Sequence, residues 1–133
     1  LLVACCPENL ASRGFALGCG SVTFIVGDQD PIAYAADIAS WFEAESARQC
    51  GVCIKGTQSI AHAIHRLTVD ADDDASESIL EDLTRWGTGL RKRGACALLD
   101  GAANLARTTA DFARRSPNPG EPPTTPSNER RES

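Results

Sequence analysis

The sequence predicts a mainly α-helical fold: a four-helix bundle after a short β segment, with a disordered C-terminal tail. Three observations carry that expectation. From residue 31 to 115, apolar residues recur at spacings of three and four, the period of helices with one face in a core. Ahead of them stands one β-branched and aromatic run, Ser21-Val22-Thr23-Phe24-Ile25-Val26, bounded by glycines. The final stretch, 116–133, holds five of the seven prolines among Ser, Thr, Asn and charged residues, and no aliphatic or aromatic residue to anchor it.

Taken in order, a strand is expected at 21–26 and ends at the turn Asp28-Gln29-Asp30-Pro31. Asp30 suits an N-cap, because its carboxylate can accept a free N–H of the first turn, and Pro31 suits a first position whose N–H needs no partner. The first helix, 31–46, aligns Ile32, Ala35, Ala39 and Phe42 on one stripe, with Ile38 and Trp41 beside it. In the second, 51–68, Cys53, Ile60, Ile64 and Leu67 share a face, so the second thiol of Cys50-Gly51-Val52-Cys53 is expected on the core side. An acidic loop, 70–74, follows, and Asp74-x-x-Glu77 resembles a capping box. It opens a third helix with Ile79, Leu83, Trp86 and Leu90 on its stripe and with Gly87 and Gly89 weakening its end. The fourth segment, 95–115, repeats Leu98, Ala102, Leu105 and Phe112, and its small residues permit close packing. Short connections make the four helices antiparallel neighbours. No fixed-period repeat runs across them.

At 133 residues and 14.1 kDa the chain has room for one core. A net charge of -5 and a pI near 4.9 are the wrong sign for a protein held electrostatically to nucleic acid or to anionic lipid. No apolar run is long enough to span a bilayer. The absence of methionine, even at position 1, predicts a fragment or a processed form.

The six cysteines are unevenly placed: Cys5 and Cys6 are adjacent, Cys50 and Cys53 form C-x-x-C, and Cys19 and Cys96 stand alone. Such clustering favours metal, cluster or thiol chemistry in a reducing compartment over a disulfide scaffold. The C-x-x-C has three readings. A thioredoxin-like dithiol at a helix start is one, but that fold needs a strand leading into the motif, and here an amphipathic helix precedes it. A second is structural zinc on Cys50, Cys53 and Cys96 with His62 or His65. The third is an iron-sulfur cluster, which takes thiolates from a tight loop plus a distant cysteine.

The stretch Glu45-Ser46-Ala47-Arg48-Gln49-Cys50-Gly51-Val52-Cys53-Ile54-Lys55-Gly56-Thr57 resembles the Glu-Ser-Cys-Gly-x-Cys-x-Pro-Cys-Arg-Glu-Gly-Thr signature of the flavin-bearing, NADH-binding subunit of respiratory NADH:quinone oxidoreductase. Gly18-Cys19-Gly20-Ser21 with Val22 to Val26 looks like that family's Gly-Ser-Gly strand, and Trp41-Phe42-Glu43 like its Phe-Phe run. Gly94-Ala95-Cys96-Ala97-Leu98 stands where the family has a distant Cys-Ala-Leu, and Ala110-Asp111-Phe112 where its terminal helix carries a Phe. The resemblance covers about residues 14 to 115. It implies two parts, the end of a β-grasp-like domain at 1–27 and a four-helix iron-sulfur-binding domain at 28–115, ahead of the disordered tail that composition predicts at 116–133. The cofactor implied is a 4Fe-4S cluster on Cys50, Cys53 and Cys96, relaying single electrons between a flavin-NADH module and a further iron-sulfur subunit. FMN and NADH would belong to another domain or partner, so the chain is not expected to be catalytic alone. The implied setting is cytoplasmic, including the cytoplasmic face of a membrane complex.

The departures from the signature are specific. Ala47 occupies the first ligand position, and its methyl group cannot bind iron; Arg48, Val52 and Ile54 replace the family's Gly, Pro and Arg. Three thiolates leave one iron of a cube with a water or other oxygen ligand, or give a 3Fe-4S cluster, or assemble none. Ser46 is a substitute donor if the loop shifts by one residue, and Cys19 is another. The competing expectation is a redox-silent adaptor subunit of an oxidoreductase assembly, motivated by Ala47, by the missing Arg after Cys53 and by Trp41 and Trp86 as exposed aromatics.

Overall fold

A computed structural model describes residues 6–12, 18, 20–26, 29–69 and 73–116. Its helices are α1 (Pro7–Ala11), α2 (Pro31–Ala44), α3 (Gly51–Val69), α4 (Asp73–Gly89) and α5 (Leu98–Arg115). The start of α2 follows from its two opening residues: the Asp30 carboxylate accepts the Ile32 N–H at 2.8 Å, and Pro31 takes the first position.

Helices α2 to α5 form the expected bundle. α3 and α5 touch across its middle and each also packs on α2 and α4, whereas α2 and α4 do not meet. The core is filled by Ile60, Ile64 and Leu83, each 0% exposed, with Ile32, Ala35, Ala36, Ala39, Ile79 and Leu80 around them. Each large side chain withdrawn from water in this way contributes about 1.5–3 kcal/mol. Ala102, Ala103, Ala106 and Ala110 line the inner face of α5, and their small volume lets its neighbours approach closely. The closest approach of α4 is at Gly87, where an added Cβ would lie 2.7 Å from the Arg107 Cβ and 2.9 Å from the Ala103 carbonyl oxygen. Among the described residues no helix is long and apolar enough to cross a membrane.

Several expectations need correction. No strand forms at 21–26; a strand requires a partner ladder, and among the described residues there is none, so Val22, Phe24 and Val26 stand exposed. Instead the Tyr34 hydroxyl donates to the Thr23 hydroxyl at 3.3 Å, which links this segment to α2. The short helix α1 was not anticipated. The fourth bundle helix begins at Leu98 and not at 95, and its buried face runs through Leu99, Ala102, Ala103 and Ala106, with Leu98, Leu105 and Phe112 at its half-buried margins. α4 starts at Asp73, one residue before the expected cap, and Glu77 accepts a hydrogen bond from Arg114 of α5 at 3.2 Å. Trp86 packs against the core, while Trp41 is 56% exposed and meets Phe42 edge to face. Apart from Ser116, the tail expected at 116–133 lies outside the described residues, as do Cys5 and Cys19.

Candidate metal centre

The C-x-x-C pair stands at the mouth of α3 because the chain must turn sharply out of α2. After Ala44, the Glu45 N–H still reaches the Trp41 carbonyl at 2.9 Å and the Ser46 N–H reaches that of Glu43 at 3.3 Å. Arg48 then takes a left-handed conformation, φ 53°, at the place where the resembling signature carries glycine. The Cys50 carbonyl accepts the Ile54 N–H at 3.1 Å, which makes Cys50 the N-cap of α3 and puts Cys53 in its first turn. Cys53 is buried at 4% exposure, on the core side as its spacing predicted.

Three groups converge on these thiols. The backbone N–H of Ala95 is the strongest influence on Cys50 and holds its thiol below the ordinary value; partial desolvation opposes it, and bonds from the backbone and the side chain of Cys53 add to the lowering. Ala95 immediately precedes Cys96, so the turn carrying the distant cysteine abuts the first thiol. Ser46 is the third group: its side chain is buried, and its hydroxyl lies 3.5 Å from the Cys53 sulfur.

The turn between α4 and α5 is fixed by its own bonds. Lys92 is left-handed, φ 60°, and its N–H donates to the Asp100 carboxylate at 2.6 Å, while the Arg93 N–H donates to the Leu90 carbonyl at 3.2 Å. Gly94 lies close under Leu99, where a Cβ would come within 3.1 Å of the leucine Cβ. Cys96 itself is exposed.

The structure therefore brings Cys50 and Cys53 into contact and sets the Cys96 turn against Cys50. It does not bring the three sulfurs to a common point: among the described residues no three His, Cys, Asp or Glu side chains are grouped as a single metal ion requires. That distinguishes the two metal readings. Zinc needs its donors at about 2.0–2.3 Å from one centre, and His62 and His65 are exposed along a separate groove of about 450 Å³ shared with Glu43 and Ser40. A cluster binds each thiolate to a different iron, so its sulfurs surround one core and stand several ångströms apart. Three soft donors from a tight loop and a neighbouring turn fit an iron-sulfur cluster in their chemistry, with one donor short at the exposed Ala47.

Two contributors escaped the sequence reading. The Ala95 N–H is a backbone group with no residue signature. Asp100 shows only as an acidic residue in the first turn of α5, a common pattern that does not disclose its bond to Lys92. No curated protein and no solved structure matches the chain. A family model does, the NADH-ubiquinone oxidoreductase-F iron-sulfur binding region, over residues 33–116. That span runs from the first turn of α2 to the end of α5 and contains Cys50, Cys53 and Cys96. The chain thus belongs to the family of the NADH-ubiquinone oxidoreductase-F iron-sulfur binding region.

Proposed function

We propose that this chain is an electron-transfer domain in which Cys50, Cys53 and Cys96 hold an iron-sulfur cluster that relays single electrons between a flavin-NADH module and a further iron-sulfur subunit. The observation that carries the reading is the match of residues 33–116, a span that contains Cys50, Cys53 and Cys96, to the iron-sulfur binding family. When bound, the cluster supplies a reversible one-electron couple. The protein's part is to hold thiolates ready and to shield them. The Ala95 and Cys53 N–H groups favour the Cys50 thiolate, the form that binds iron. Burial of Cys53 keeps one side of the site away from water and oxidants. FMN and NADH belong to another domain or to a partner, and the chain alone does not oxidise NADH.

Anaerobic reconstitution of the full chain with ferrous iron and sulfide, followed by iron, sulfide and zinc analysis, tests this. Iron and sulfide bound in comparable amounts, and lost when Cys50, Cys53 and Cys96 are replaced together by Ser, is the expected result. Uptake of zinc alone, or of no metal, refutes it.

The exposed Ala47 favours a second reading, a redox-silent adaptor that stabilises an oxidoreductase assembly. The same triple substitution separates the two. An adaptor's complex stays assembled and active without the thiols, whereas a relay's complex assembles and passes no electrons.

A further inference from the structure

The donor set is one short, and the structure offers a replacement beside the vacant position. Ala47 is exposed, whereas the preceding Ser46 is only 8% exposed and its hydroxyl lies 3.5 Å from the Cys53 sulfur. The left-handed Arg48 bends the chain so that its own N–H points back at the Ser46 oxygen, at 3.4 Å. Ser46 is thus held inward by a backbone donor on one side and a thiol on the other. On its remaining side lies a cleft of about 70 Å³ lined by Glu43, Arg48, Ile54, Thr57 and Gln58.

We infer that Ser46, and not residue 47, supplies the fourth protein donor to the cluster, binding one iron through its hydroxyl oxygen while Cys50, Cys53 and Cys96 bind the others. The inference rests on the cluster reading above and specifies its ligand set. On ligation the oxygen gives a lone pair to iron, its proton passes to solvent, and its contact with Cys53 is exchanged for the metal bond. An oxygen donor is harder than a thiolate and holds that iron less firmly, which makes it the first iron lost on oxidation.

The test compares wild type, Ser46→Ala and the double variant Ser46→Ala/Ala47→Cys after anaerobic reconstitution of the full chain, reading iron and sulfide per chain and the electron paramagnetic resonance spectrum. Wild type is expected to hold about four irons; after one equivalent of ferricyanide, which accepts the electron released as an iron leaves, Ser46→Ala falls to about three with the spectrum of an oxidised 3Fe-4S cluster, wild type retains more of its iron, and the double variant keeps about four, because a thiolate at 47 restores a fourth donor. Equal iron and an unchanged spectrum in wild type and Ser46→Ala overturn the assignment of Ser46 while leaving the three-cysteine cluster intact. Loss of iron in Ser46→Ala that Ala47→Cys does not rescue also overturns it, since Ser46 then only shapes the loop. Absence of iron from wild type overturns both this inference and the cluster itself.

Discussion

Gly87 and Gly89 sit two residues apart in α4, and the structure gives alanine opposite effects at the two positions. At Gly87 the new Cβ would lie 2.7 Å from the Arg107 Cβ, 2.9 Å from the Ala103 carbonyl oxygen and 2.9 Å from the Arg107 nitrogen. None of these atoms is the free end of a side chain, so α4 must back away from α5. Overpacking of this kind costs about 1–3 kcal/mol, and the better helix propensity of alanine returns up to about 1 kcal/mol. Three approaches below 3.0 Å, two of them to backbone atoms, put the cost toward the upper end of that range, about 2–3 kcal/mol, so the net expectation for Gly87→Ala is a loss of about 1–2 kcal/mol, or a Tm lower by about 4–15 °C for a domain of this size. At Gly89 nothing lies within 4 Å and φ is not positive, so Gly89→Ala retains only the propensity gain and raises stability by up to about 1 kcal/mol. Thermal unfolding by circular dichroism, with urea titration to confirm an unchanged m-value, measures both. A Gly87→Ala protein as stable as wild type would show that α4 and α5 are not in close contact there.

Three further outcomes are expected. In the metal-free protein the Cys50 thiol titrates below the ordinary thiol range, so its alkylation by iodoacetamide, followed peptide by peptide, stays fast as pH falls to values where an unperturbed cysteine is protonated. The linked stability has the corresponding sign: because the folded-state pKa is depressed, stability is fully present above the unfolded pKa and lost as pH falls through the folded one, and Cys50→Ser flattens that slope. Asp30→Ala removes the 2.8 Å cap on Ile32 and costs about 1 kcal/mol in a urea titration, while Asp30→Ser retains most of it. Asp100→Ala frees the Lys92 N–H and costs about 1 kcal/mol, with faster hydrogen exchange confined chiefly to 91–97, the turn that carries Cys96; unchanged exchange there would count against its anchoring role.

Much of the bundle was legible in the sequence because helix periodicity and caps are local. The stripe of Cys53, Ile60 and Ile64 put the second thiol inside, and Asp30-Pro31 located the start of α2, since both depend only on neighbours along the chain. The turns carrying the site were less legible. Residues 45–50 and 91–97 have no period, so nothing local declared that Ser46 faces inward and Ala47 outward, or that Arg48 and Lys92 adopt positive φ. The segment at 21–26 shows the opposite error: its β-branched composition predicts a strand, but strand hydrogen bonds are made between segments, and composition supplies no partner.

By itself the sequence determined the helical class, the four bundle helices and their approximate limits, the candidate thiols and, through the order of its motifs, the family that contains them. These are properties of residue type and spacing, and they survive translation along the chain. Only the tertiary structure decided that the Cys96 turn lies against Cys50, that Gly87 is a contact between helices as well as a weak helix former, and that Ser46 takes the inward place beside Cys53. Each of those depends on how two distant segments meet, and the free energy of such a meeting is set by backbone donors, close approach and burial that no single stretch of sequence contains.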